Sequence, residues 1–211
     1  MENKALYKTA LWLSVFTVVY NLAEGSLATF LGESDETLAL FGFGVDSFVE
    51  VLSGIGIWHM VVRLSKDEVT HRDAFEIRAL KVTGFAFYLL TAGLVLGAFF
   101  SFYYRVTPLQ TRAGIIISVI SILIMYWLYK QKLKVGEQLN NAAIISDAHC
   151  TKTCFYLSFI LLGSSLLFDL FKWPYIDAVG SLGIAWYAYK EGKESFEKAR
   201  SGSLACSSDC C

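Results

Sequence analysis

Apolar residues in this chain fall into six long runs, and that pattern leaves few folds open to it. The runs cover Leu6–Phe30, Leu38–Arg63, Ala79–Tyr103, Ala113–Tyr129, Ala142–Phe171 and Tyr175–Tyr189. A helix needs about 20 apolar residues to cross the hydrocarbon core of a bilayer. Inside it every backbone polar group must be bonded within the segment, which selects helices. Six crossings with short links consume most of the 211 residues. Composition agrees: 18% of residues are charged and 55% hydrophobic, where a soluble domain carries about 25% charged. The net charge of -1 gives no basic surface for nucleic acid. The expected fold class is therefore all-α: a polytopic membrane protein of six transmembrane helices. The first run is too long for a signal sequence and reads as the first span.

Cations set the expected orientation, because Lys and Arg concentrate in cytoplasmic loops. Lys4, Lys8, Arg63, Lys66, Arg72, Arg78, Lys81, Lys130, Lys132, Lys134, Lys190, Lys193, Lys198 and Arg200 flank one side, against Arg105, Arg112 and Lys172 on the other. Both termini are expected in the cytoplasm, in a multi-pass protein of the cell (plasma or inner) membrane. Residues 1–197 read as the membrane domain and 198–211 as a cysteine-containing tail. Gly93-x-x-x-Gly97 matches the spacing that lets helix backbones approach, although glycine is common in membrane helices in any case.

Ionisable groups inside these runs cost about 2.5–3.5 kcal/mol each on insertion scales, so each needs a reason. Asp177 opens the sixth run and suits the helix dipole. Asn21 and Glu24 lie in the first run, and Asp46 and Glu50 in the second. At i, i+4 spacing the two acids share one helix face and repel unless a proton or a metal cation neutralises them. The fifth segment repeats that spacing with Cys150 and Cys154. It is extended back to Ala142 because Ala142–Ile145 is apolar and no helix breaker intervenes. Two carboxylates and two thiols suit a four-coordinate site, so Asp46, Glu50, Cys150 and Cys154 are the expected metal ligands. Two other readings stay open: buried cysteine is commonly an inert hydrophobe, and an Asp–Glu pair also serves a proton relay or pairs with Lys152.

Around these four, Asp147 lies one turn before Cys150 and reads as a way station for cations or as a solvated helix-end acid. His149 falls off the Cys150 face and reads as a neighbour of the ligands or as packing. Lys152 points about 200 degrees from Cys150 at roughly 100 degrees per residue. It reads as a partner for Glu24 or the thiols, or as a snorkelling lysine.

The run Gly44-Val45-Asp46-Ser47-Phe48-Val49-Glu50 resembles the transport motif of the cation diffusion facilitator family, which carries Asp-x-x-x-Asp or His-x-x-x-Asp in its second and fifth spans. Ser146-Asp147-Ala148-His149-Cys150-x-x-x-Cys154 is similar to the fifth-span segment, with the cysteines at the two ligand positions. Ile176-Asp177-Ala178-Val179-Gly180-Ser181-Leu182-Gly183-Ile184-Ala185 resembles the sixth-span stretch. Glu50 stands where the family has Asp, and the cysteines where it has His or Asp. The resemblance is to a short branch without the C-terminal cytoplasmic domain. It implies a tetrahedral site at mid-membrane, a homodimer, and alternating access in which metal leaves the cytoplasm as protons enter. Thiolates shift the preference to softer ions, so Zn2+ or Cd2+ is the expected cargo, with no resident cofactor.

Cys206, Cys210 and Cys211 form a cluster that, if cytoplasmic and reduced, reads as accessory metal ligands rather than disulfides. Asp67 and His71, beside Glu68 and Asp73, read as a solvated charged loop or a weaker metal site. Two rival functions remain: a non-transporting metal-binding membrane protein, and a thiol–disulfide protein, although redox pairs favour Cys-x-x-Cys. Nothing in the sequence has the form of a hydrolase triad or a phosphate loop, and no enzymatic activity is expected.

Overall fold

Long apolar runs without prolines fold as continuous helices, and charged residues of good helix propensity carry those helices past the ends of the runs. The computed structural model of the protein describes residues 2–66, 72–173 and 175–202. In it the six helices are α1 Glu2–Ser34, α2 Leu38–Leu64, α3 Ala74–Tyr104, α4 Arg112–Gln138, α5 Ala142–Phe171 and α6 Tyr175–Ser201. Helix α5 begins at Ala142 because Asn141 caps it, its side chain accepting from the N–H groups of Ala143 (3.0 Å) and Ile144 (3.3 Å). Helix α6 runs past Lys198, which the sequence placed in the tail. The rest of that tail, with Cys206, Cys210 and Cys211, lies outside the described residues, as do Asp67, Glu68 and His71.

Five helices, all but α6, are long and apolar enough to cross a membrane. Helix α6 misses this measure because its C-terminal part, from Lys190 onward, carries Lys190, Glu191, Lys193, Glu194, Glu197, Lys198 and Arg200. The outer surface presents large apolar side chains, among them Phe99, Leu170, Phe171 and Trp186, each more than 60% exposed (64, 74, 69 and 64%). Water does not tolerate such a continuous apolar surface, and this is the build of a multi-pass membrane protein.

The helices pack chiefly as α1 on α2, α3 on α6 and α4 on α5. Glycines set the α1–α2 seam. A Cβ at Gly44 would stand 2.5 Å from the Thr29 backbone nitrogen, and one at Gly25 would stand 2.9 Å from the Gly44 carbonyl. At Gly93 a Cβ would meet nothing within 4 Å, and Gly97 abuts only the Leu38 side chain. Close backbone approaches within the chain therefore occur at Gly25, Gly32 and Gly44, among others, and not along Gly93-x-x-x-Gly97.

One end of the bundle gathers the α1–α2, α3–α4 and α5–α6 links. There Leu109 N–H donates to the Asp35 carbonyl (2.9 Å) and the Gln110 side chain donates to Asp35 (2.9 Å). Asp177 does more than favour its own helix dipole: it accepts from the Leu38 and Ala39 N–H groups (2.7 and 3.3 Å), capping α2 from α6. Thr37, the residue before α2, supplies no side-chain cap itself. At the other end Arg72 N–H donates to the Gly202 carbonyl (3.1 Å), tying the α2–α3 link to the end of α6. Most cations lie at this second end.

Two apolar cores fill the bundle. One holds Leu40, Phe43, Phe87, Leu94, Leu161 and Ile184 and lies towards the first end. The other holds Leu13, Ile57, Met60, Met125, Leu128 and Ile144 and lies towards the cationic end. Between them polar side chains face inward: Asn21 and Glu24 on α1, Asp46 and Glu50 on α2, Ser121 on α4, and Ser158 on α5.

The seam makes a stability prediction. Gly44→Ala should destabilise the protein by about 1–3 kcal/mol through overpacking against Thr29. Gly93→Ala should be neutral or stabilising, because alanine is the better helix former. Thermal unfolding of both variants in the same detergent checks the contrast.

Candidate metal centre

Glu50 is held from two sides in the layer between the cores. The α1–α2 seam brings Asn21 to it, and Asn21 Nδ2 donates to Glu50 Oε2 at 2.8 Å. From α5, the Cys154 thiol donates to Glu50 Oε1. One turn before Glu50, Asp46 is 2% exposed, and its Oδ1 has no hydrogen-bond partner among the described residues. One turn before Cys154, the Cys150 sulfur accepts from Lys198 Nζ at 3.4 Å. A cavity of about 50 Å³ lies against these groups, lined by Asn21, Glu50, Cys150, Cys154, Glu191 and Lys198. Such a volume holds a few water molecules or one small cation with part of its shell.

Towards the cationic end, ion pairs ring the same cavity. Lys132 (2% exposed) bonds Asp147 at 3.0 Å and donates to Thr151 Oγ1 at 3.0 Å. Lys198 pairs with Glu194 while reaching Cys150. Arg72, from the α2–α3 link, completes the lining, with Nη1 3.4 Å from Met60 Sδ. Acids therefore surround the carboxylate–thiol contact, and lysines stand between it and the end of the bundle.

The structure places the expected residues unevenly. Glu50 and Cys154 touch, Cys150 lines the same cavity, and Asp46 lies beside them in the buried layer. The four do not close into one ligand shell. Among the described residues, the set of three or more such groups whose ligand atoms all lie within 4.8 Å is instead His59, Asp73 and Glu76. That set already holds a cation: Arg63 Nη1 lies 2.7 Å from Glu76 Oε1 and 3.4 Å from Asp73 Oδ2. Asp73 and Glu76 also form a capping box at the start of α3. Burial pushes the Asp73 carboxyl up, but the Glu76 N–H, Arg63 and His59 outweigh it and hold it below its usual range. Any metal there would have to displace a guanidinium and break a helix cap, which favours a structural role.

The sequence leaves alternatives open for four neighbours, and each takes a definite place here. Glu24 does not pair with Lys152; it accepts from Tyr20 (2.7 Å) and Ser47 (3.4 Å). Lys152 instead lies over the Tyr156 ring, 5.8 Å from its centre, and lines an outer groove. His149 lies on that same outer side, 6.4 Å from the Tyr129 ring. Asp147 is locked to Lys132 rather than solvated at a helix end.

Sequence reasoning passed over Lys132, Lys198 and Glu191, because each looks like one more interfacial charge beyond an apolar run. The signal for two of them is periodicity. Ile184, Ala188, Glu191, Ser195 and Lys198 recur at helical spacing and form one inward stripe of α6, and all but Glu191 are buried. Glu191 lines the cavity together with Glu50, Cys150 and Cys154. No family model matches this chain.

The Lys132–Asp147 pair gives a direct test of packing around the cavity. Lys132→Met alone leaves a buried carboxylate without its partner and should cost about 3–5 kcal/mol. Lys132→Met with Asp147→Leu should recover most of that loss. Denaturant unfolding of the single and double variants measures the difference.

Proposed function

We propose that the protein is a divalent metal cation transporter of the cation diffusion facilitator type, exporting Zn2+ or Cd2+ in exchange for protons. The observation that carries this reading is the direct contact between the Cys154 thiol and the Glu50 carboxylate in a buried cavity that Cys150 also lines. A thiol proton shared with a carboxylate occupies the position a metal would take. When a divalent cation binds, the thiol must lose that proton, so metal capture and proton release are coupled. When the cation leaves, a returning proton restores the thiol–carboxylate contact, which carries one negative charge in place of two. Both states avoid four bare negative charges in an apolar interior.

In this reading Glu50 and Cys154 are the central ligands, and Cys150 and Asp46 complete the shell by side-chain rotation. Asp46 Oδ1 has no described partner to give up, and Cys150 has only to leave Lys198. Lys198 then acts as an internal counter-cation that holds Cys150 while the site is empty of metal. Two sulfur and two oxygen donors suit Zn2+ and Cd2+ and disfavour Mg2+ and Mn2+, which prefer oxygen alone. Glu24 and Asn21 position the α1 side of the site.

All six helices cross the membrane, with both termini in the cytoplasm. The short apolar part of α6 is completed by lysines that snorkel to the interface, and the cationic end is the cytoplasmic one. A homodimer in the cell membrane rests on the family resemblance.

Proteoliposome flux under an imposed pH gradient tests the proposal. Glu50→Gln and Cys154→Ser should each lower Zn2+ flux by about tenfold or more, since even groups that only support metal ligands are worth about 10–100-fold. Cys150→Ser with Cys154→Asp should depress Cd2+ flux more than Zn2+ flux. Unchanged flux in Glu50→Gln would overturn the assignment. Metal binding without flux in the wild type would leave a binding protein in place of a transporter.

A further inference from the structure

A second site lies outside the bundle, between α5 and α6, where both helices pass from apolar to charged sequence. It is a groove of about 550 Å³ whose lining includes Tyr156, Trp186 and Tyr189 on an aromatic level and Lys152, Lys190 and Lys193 on a basic one. Three of its aromatic rings are open to the surroundings, Trp186 at 64%, Tyr189 at 48% and Tyr156 at 41% exposure. Exposed Trp and Tyr of this kind seat at the level of lipid headgroups.

Two of the three lysines on the basic level, Lys152 and Lys190, stand over aromatic rings rather than in internal ion pairs. Lys152 lies 5.8 Å over the Tyr156 ring and Lys190 6.0 Å over the Tyr187 ring. Among the described residues neither has a carboxylate within 4.0 Å. The acids on the groove wall have other partners: Glu197 pairs with Lys193 within the groove at 3.7 Å, and Glu194 with Lys198 on the inward face of α6. His149 lines the groove too, and its Nδ1 has no partner among the described residues.

We infer that this groove binds one anionic phospholipid, with the phosphate between Lys152 and Lys190 and an acyl chain along Trp186 and Tyr156. The vertical order of the lining matches that ligand: aromatic faces beside the apolar run, cations one to two turns further along. A basic pocket between membrane helices is a headgroup site by charge, and the exposed rings give it a place for the chain. The inference rests on the reading that α6 lies in the membrane beside α5, and it stands whether or not metal crosses the bundle.

The test uses the full chain in neutral detergent micelles, titrated with brominated phosphatidylglycerol or brominated phosphatidylcholine. Tryptophan quenching is read as the difference between wild type and Trp186→Phe, which isolates the groove. Phosphatidylglycerol should half-saturate the Trp186 signal at a lipid fraction about tenfold lower than phosphatidylcholine. Lys152→Gln with Lys190→Gln should remove that preference while phosphatidylcholine still quenches; Lys152→Arg with Lys190→Arg should keep it. Equal half-saturation by the two lipids in the wild type would overturn the inference. So would a preference that survives the double Gln variant, or one abolished by millimolar inorganic phosphate, which would show an anion site without a lipid.

Discussion

Charge buried among apolar helices has to be neutralised where it sits, and that constraint organises this protein. Two apolar cores meet at a layer holding Asn21, Glu24, Asp46, Glu50, Cys154 and Ser158. Each member costs free energy in low-dielectric surroundings unless it is bonded. Glu50 meets the requirement with an amide on one oxygen and a thiol on the other, and Glu24 with two hydroxyls. Asn21 Oδ1 and Asp46 Oδ1 are the exceptions, buried without a partner among the described residues. A buried acid with an unmet oxygen beside a carboxylate–thiol contact is an arrangement that a divalent cation would complete.

The remaining architecture serves to hold that layer in register. Gly25 and Gly44 let α1 and α2 approach closely enough for Asn21 to reach Glu50. Asp177 fixes the start of α2 from α6, and Asn141 fixes the start of α5 ahead of the cysteines. Lys132 and Lys198 balance the acids on the cationic side of the cavity, and both are nearly fully buried. The cationic end thus has two separate roles. Inward lysines compensate the acids and the thiol near the cavity, while Lys152 and Lys190 line the outer α5–α6 groove.

Much of this was legible in the residues. Six apolar runs foretell six helices, and the absence of a breaker between Ala142 and Cys154 places the cysteine pair on a regular helix. The paired i, i+4 spacings of Asp46 with Glu50 and Cys150 with Cys154 point to a shared interior. What spacing could not supply is rotation about the helix axis and the choice of partner. Lys152 lies between the cysteines in sequence yet turns outward to Tyr156, and the cation that reaches Cys150 is Lys198, 48 residues further on. The Gly-x-x-x-Gly spacing at Gly93 was likewise uninformative, because close approach needs a partner helix opposite. Arg63 shows the same limit: its role in holding Asp73 and Glu76 depends on how α2 and α3 come together, which the pattern of apolar residues does not encode.

The central claim is that Glu50 and Cys154 exchange a shared proton for a metal ion. It is tested most directly by titrating Cd2+ into the purified protein with Cys206, Cys210 and Cys211 replaced by serine, while following thiolate-to-cadmium charge-transfer absorbance and proton release together. The account predicts a saturable absorbance with protons released in step, both lost in Cys154→Ser and weakened in Glu50→Gln. Cadmium binding of equal affinity in wild type and Cys154→Ser, with neither absorbance nor proton release, would contradict it.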